Sequence, residues 1–129
     1  MARHSILVID DDLLWRRLLK RLFGEMDYDI HTAANCQDGV LLAERHKPDC
    51  ILLDFHLKDG DAVDVCAALK NGAERPRFPV IIVSSDPEAE ITAYAECRAD
   101  YFVLKGSHTM TVLPKVVSEV LGDGKRDFF

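Results

Sequence analysis

Apolar residues in this chain fall into two alternating kinds of pattern. The first is the short unbroken run: Ile6-Leu7-Val8-Ile9, Cys50-Ile51-Leu52-Leu53 and Val80-Ile81-Ile82-Val83. A strand buried on both faces needs such a run, because neither side of its pleat meets water. The second is helical spacing between the runs. From about residue 12 to 24, Leu14, Leu18 and Leu22 fall on one stripe with Leu19 and Phe23 beside it, and Gly24 is placed to stop the helix. A weaker strand covers Asp29 to Ala33, and a short helix runs from about Cys36 to His46. Pro48 breaks the chain before the run at Cys50, and a third helix spans about Ala62 to Asn71 with Gly72 behind it. Pro79 opens the run at Val80, a fourth helix spans about Pro87 to Cys97, and Tyr101 to Leu104 forms the last strand. Thr109 or Thr111 is placed to cap a final helix reaching about Leu121, with Pro114 close to its first turn, where a missing N–H costs least.

Five βα units of about 25 residues each predict an α/β fold, a doubly wound parallel sheet of five strands. In such sheets the strand C-termini line one edge, and ligands bind where the winding reverses; with strand order 2-1-3-4-5 the reversal falls between strands one and three. Those strands end in Asp10-Asp11 and Asp54, while strands four and five bring Ser84 and Lys105 to the same edge. Like charges repel, so gathered carboxylates imply a cation or shared chemistry. Asp12 reads as the N-cap of the first helix.

Composition narrows the function from outside. The net charge of −6 argues against nonspecific binding to nucleic acid. No apolar stretch approaches the roughly 20 residues that span a bilayer. Met1 to Ser5 runs straight into the first strand, so no signal peptide is expected. Cys36, Cys50, Cys66 and Cys97 lie far apart without a C-x-x-C pair, and Cys50 and Cys66 sit within apolar runs where buried free thiols are common, a pattern that fits a reducing cytosol better than a disulfide framework. One domain over residues 1–122 is expected, with 123–129 as a flexible tail or the start of a linker.

Four segments together resemble the receiver domain of two-component response regulators: Ile6-Leu7-Val8-Ile9-Asp10-Asp11, Pro48-Asp49-Cys50-Ile51-Leu52-Leu53-Asp54, Pro79-Val80-Ile81-Ile82-Val83-Ser84-Ser85 and Phe102-Val103-Leu104-Lys105. The resemblance covers residues 5 to 121 and implies a (βα)5 flavodoxin-like fold. It implies that Asp54 accepts a phosphoryl group from the phosphohistidine of a sensor histidine kinase or histidine phosphotransfer protein. Asp10 and Asp11 then match the acidic pair that holds Mg²⁺ (or Mn²⁺), joined by Asp54 and the backbone carbonyl of His56. Ser84 matches the switch hydroxyl, Phe102 the switch aromatic and Lys105 the lysine that pairs with the phosphoryl group. His56 and Asp86 occupy positions that tune hydrolysis of the acyl phosphate.

The same resemblance implies that the surface of the fourth helix, fifth strand and fifth helix changes on phosphorylation, signalling to a downstream protein or output domain. Such a protein is no enzyme beyond promoting its own phosphorylation and dephosphorylation. Kinase docking in the family uses the first helix, where Trp15 is a candidate, while Arg16, Arg17, Lys20 and Arg21 read as a solvated face. Three positions depart from the pattern: Gly106 and Lys58 replace usual prolines, and Ala62 replaces a usual glycine, with Gly60 available to make the turn. Glycine at 106 is expected to leave its loop free. Two other readings compete: a degenerate receiver that binds partners without phosphorylation, and a phosphohydrolase with an aspartyl nucleophile.

Overall fold

The three unbroken apolar runs become the middle of the sheet. In a computed structural model that describes residues 3–122, they form β1 (Ser5–Ile9), β3 (Cys50–Leu53) and β6 (Val80–Ser84). The edges are β2 (Asp29–Ala33) and β7 (Tyr101–Leu104), and all neighbours in the order β2-β1-β3-β6-β7 pair in parallel. Two further strands, β4 (His56–Leu57) and β5 (Gly60–Asp61), make a separate antiparallel hairpin. Setting that hairpin aside leaves the expected order 2-1-3-4-5. The expected tail, 123–129, lies outside the described residues.

Alternation along each strand sorts side chains to opposite faces of the sheet. Ile6, Val8, Leu52, Ile81 and Val83 meet Leu19 and Phe23 of α1 (Leu13–Glu25) and Leu113 and Val117 of α5 (Thr109–Val120). Leu7, Ile9, Ile51, Leu53 and Ile82 meet Ala43 of α2 (Cys36–His46), Val65 and Leu69 of α3 (Ala62–Lys70) and Ala93 of α4 (Glu90–Ala95). Each face thus has its own core, with helices on both sides of the sheet. All four cysteines are free and buried, and burial pushes the Cys36 and Cys50 thiols up to about 12.

Several local expectations fail for identifiable reasons. On α1 the buried residues are Leu19 and Phe23, with Trp15 and Leu22 packed beside them, whereas Leu14 and Leu18 are 62% and 40% exposed. Two apolar stripes compete on that helix, and the one carrying Trp15 and Phe23 has more area to bury. Gly24 does not stop α1; the helix runs on to Glu25, and Asp27 takes the left-handed turn at φ 69°. The fourth helix is shorter than its pattern. A single 3₁₀ turn (Pro87–Ala89) precedes α4, and the chain leaves at Arg98 with φ 56°. Neither Thr109 nor Thr111 caps α5, whose cap position is His108 without a side-chain bond. Pro114 is the sixth residue of α5, well past the first turn. The hairpin β4–β5 has no periodic signal, being two residues on each side.

Gly39 shows how tightly the sheet is covered. A Cβ there would stand 2.6 Å from Cδ1 and 3.0 Å from both Cγ atoms of Ile9, which is fully buried. Alanine favours the helix by about 1 kcal/mol over glycine, yet overpacking costs about 1–3 kcal/mol. Gly39→Ala is therefore expected to lower the unfolding free energy by about 1 kcal/mol in urea titration. A more stable variant would show that Ile9 has room to yield.

Candidate functional site

Register delivers the carboxylates. Pairing of Ile9 with Leu53 puts the next residues, Asp10 and Asp54, at the same sheet edge. The Asp54 N–H donates to the Ile9 carbonyl at 2.8 Å and the Asp10 N–H to the Ala33 carbonyl at 3.0 Å, so both backbones are fixed. Ser84 pairs with Leu104, which places Lys105 one step beyond, its N–H donating to the Ser84 carbonyl at 2.8 Å. The Lys105 Nζ lies 2.8 Å from Asp10 Oδ2 and 3.1 Å from Asp54 Oδ2, on a side chain only 8% exposed.

Carboxylate oxygens of Asp10, Asp11 and Asp54 all fall within 4.8 Å of one another. Hard oxygen donors, one from each of three carboxylates, suit Mg²⁺, which keeps its remaining positions for water or phosphate oxygens. Three carboxylates against one ammonium also leave an excess of negative charge that a divalent cation balances. Burial pushes the Asp54 carboxyl up to about 6; Asp10 adds to the rise, while Lys105 opposes it. Burial disfavours the Lys105 ammonium, but Asp10 and Asp54 outweigh it and hold the lysine above its ordinary value.

The other expected residues surround this centre. Ser84 is buried, and its Oγ accepts from the Asp86 N–H at 3.1 Å. Asp86 Oδ1 accepts from the Glu88 N–H, capping the 3₁₀ turn, while Oδ2 meets His56 Nε2 at 2.9 Å. These two bonds, the His56 one first, hold the Asp86 carboxyl below the usual range. His56 and Asp86 therefore link the loops after β3 and β6. Phe102 lies further out along β7, half-buried, and its N–H donates to Tyr94 Oη at 2.9 Å.

Residues around the centre that were not assigned to the site prove to support it. Arg16, read as part of a solvated face, donates from Nη1 to the Asp10 carbonyl at 2.7 Å and steadies the acidic turn. Trp15, the candidate for kinase docking, is partly buried against the core. Asp59, in the turn of the β4–β5 hairpin, accepts from the N–H groups of Cys36 and Gln37 at 2.8 and 3.1 Å, tying the loop after Asp54 to the start of α2. Those bonds, the one from Cys36 foremost, hold its carboxyl low. Gly60 takes φ 157° there, and Asp61 with Asp64 forms a capping box that starts α3. The loop at Lys58 is thus secured without proline. Gly106 is not free either: its N–H donates to Thr109 Oγ1 at 2.7 Å, a bond proline is unable to make, and that hydroxyl donates to the Leu104 carbonyl.

A doubly wound sheet with acidic residues and a lysine at its carboxyl edge is a scaffold for a hard cation and an anionic ligand. The sequence matches the response regulator receiver domain over residues 6–117, and the chain belongs to that family. It is 31% identical over 112 residues to the transcriptional regulatory protein SrrA of Staphylococcus aureus, covering 85% of this chain and 45% of that protein. The chain therefore spans less than half the length of that relative. Its fold is similar to a two-component response regulator from Clostridium difficile, with a TM-score of 0.81 and 24% identity over 92% of this chain and 96% of the other. It is also similar to the response regulator TrrA of Thermotoga maritima, solved in complex with Mg²⁺-BeF, with a TM-score of 0.80 and 22% identity over 91% and 98%. The class is a signalling module of two-component systems, and the hydrolase and degenerate-receiver readings are not favoured. Among the described residues no helix is long and apolar enough to cross a membrane.

The raised Asp54 carboxyl has a measurable sign. Its affinity for the proton is higher in the folded chain, about 6 against 3.8, so its stabilising contribution is complete below about pH 4 and is lost as pH rises through about 6. Asp54→Asn escapes that loss. In metal-free buffer its stability advantage over wild type should grow between about pH 4 and pH 7, on the order of 2 kcal/mol by urea unfolding. A constant difference across that range would mean Asp54 titrates normally.

Proposed function

We propose that Asp54 accepts a phosphoryl group from the phosphohistidine of a sensor kinase or phosphotransfer protein, and that the arrangement around it reads out the result. The observation that carries this reading is the Lys105 ammonium held between Asp10 and Asp54 at 2.8 and 3.1 Å. Asp10, Asp11, Asp54 and the His56 backbone carbonyl would hold Mg²⁺, with Mn²⁺ as a substitute of similar ligand preference. When bound, the ion supplies charge neutralisation at the transferring phosphoryl oxygens.

The chain's own residues do the rest. Asp54 is mostly ionised near neutral pH, so one carboxylate oxygen attacks phosphorus without losing a proton first. The O–P bond forms as the N–P bond of the phosphoimidazole breaks, and its electron pair returns to the imidazole. Lys105 then exchanges carboxylate oxygens for a phosphoryl oxygen. Ser84 accepts a hydrogen bond from Asp86 N–H through its oxygen, which leaves its own proton for a phosphoryl oxygen. That rearrangement draws the β6–α4 loop inward, Phe102 follows, and the surface of α4, β7 and α5 shifts population toward the form an output domain or downstream protein binds. His56 and Asp86, joined over the site's rim, set the lifetime of the acyl phosphate. The setting is cytoplasmic, and the only turnover is of the domain's own phosphoryl group.

Incubation with Mg²⁺ and acetyl phosphate is expected to add the mass of one phosphate to the wild-type chain and none to Asp54→Asn, read by intact-protein mass spectrometry. No adduct on the folded, Mg²⁺-loaded protein would refute the reading. The metal is tested separately by denaturation. At free Mg²⁺ a hundredfold above its dissociation constant, unfolding free energy should rise by about 2.7 kcal/mol. The gain should largely vanish in Asp11→Asn, and an equal gain there would place the ion elsewhere.

A further inference from the structure

We propose that Trp15 is a positioning residue for Lys105, holding its ammonium in the acidic pocket through the face of the indole ring; this rests on the phosphoacceptor reading of Asp54. Trp15 is the only tryptophan in the chain and sits in the first turn of α1. The Lys105 Nζ stands 5.1 Å from its ring centroid, within the reach of about 6 Å at which a ring quadrupole attracts a cation. Asp10 and Asp54 hold the same nitrogen. The indole is itself anchored, half-buried against the core on the α1 and α5 face of the sheet, and Asp12 fixes the helix start by accepting from the Leu14 N–H at 2.9 Å.

A ring suits a lysine that has to change partners. A carbonyl or carboxylate in its place would hold the ammonium by a directional hydrogen bond, which must break before Lys105 turns to a phosphoryl oxygen. The indole attracts the charge without accepting any of its three protons, so all three remain available to oxygen acceptors before and after transfer. It also covers one side of the ammonium against water, consistent with the lysine side chain being 8% exposed.

Plain core packing is the competing account, and two variants separate it from positioning. Trp15→Phe keeps apolar bulk and an aromatic face; Trp15→Leu keeps apolar bulk alone. With Mg²⁺ and acetyl phosphate, Trp15→Leu should be phosphorylated about threefold to tenfold more slowly than wild type, and Trp15→Phe within about twofold of it. Indole emission supplies a second readout that needs no variant of Trp15. It should change in Lys105→Met and on adding Mg²⁺ with beryllium fluoride to wild type. If Trp15→Leu does not fold by circular dichroism, the emission of folded wild type and Lys105→Met decides the question. Wild-type rates in both Trp15 variants, or identical emission in Lys105→Met and wild type, would overturn the positioning role and leave the acceptor reading standing. A wild-type chain that takes up no phosphate would overturn both.

Discussion

Everything at the carboxyl edge of this sheet turns on one ammonium shared between two carboxylates. Lys105 meets Asp10 and Asp54 at about the same distance, and without it two buried negative charges would face each other in a low-dielectric pocket. The sheet register supplies the carboxylates, and the crossover through α4 supplies the lysine from a strand two places away. The pair of ion contacts is incomplete by design of charge: Asp54 still binds its proton more tightly than an ordinary aspartate. A site left electrostatically unsatisfied in this way is ready for a cation, and then for a phosphoryl group arriving with one.

Much of this was legible in the chain because two-sided burial is demanding. A strand covered on both faces excludes charged residues, so the runs at Ile6, Cys50 and Val80 announce themselves, and the first two end where a carboxylate leaves the sheet. That is why Asp10 and Asp54 were legible to the residue, whereas Lys105 ends the partly exposed edge strand β7 and was legible only as the residue that closes the last apolar segment. The rotation of α1 was not legible. Two adjacent apolar stripes satisfy the same period, and only packing against β1 and α5 chooses between Leu14-Leu18 and Trp15-Leu19-Phe23. The supporting bonds were hidden for another reason. Asp59 reaches an N–H 23 residues away, and Arg16 reaches back 6 residues to a carbonyl; neither leaves a periodic trace.

The departures from the family pattern at Lys58 and Gly106 change meaning once those bonds are seen. Proline stiffens a loop by restricting φ, and it does so before the chain folds. Here the same loops are restrained after folding, by Asp59 on the start of α2 and by Thr109 beneath Gly106. The native geometry is comparably fixed, but the unfolded chain keeps its entropy, so these loops contribute less to stability than prolines would.

The hydroxyl of Tyr94 carries a last consequence. It accepts the N–H of Phe102 on the outer side of β7, the terminal strand of the sheet. A terminal strand with open donors is a template on which a foreign chain can add itself. Tyr94 occupies one rung of that ladder from a helix, so a stray strand seeking to extend the sheet meets a position already taken. The side chain that joins α4 to β7 thereby also guards the molecule against growing into an aggregate of its own kind.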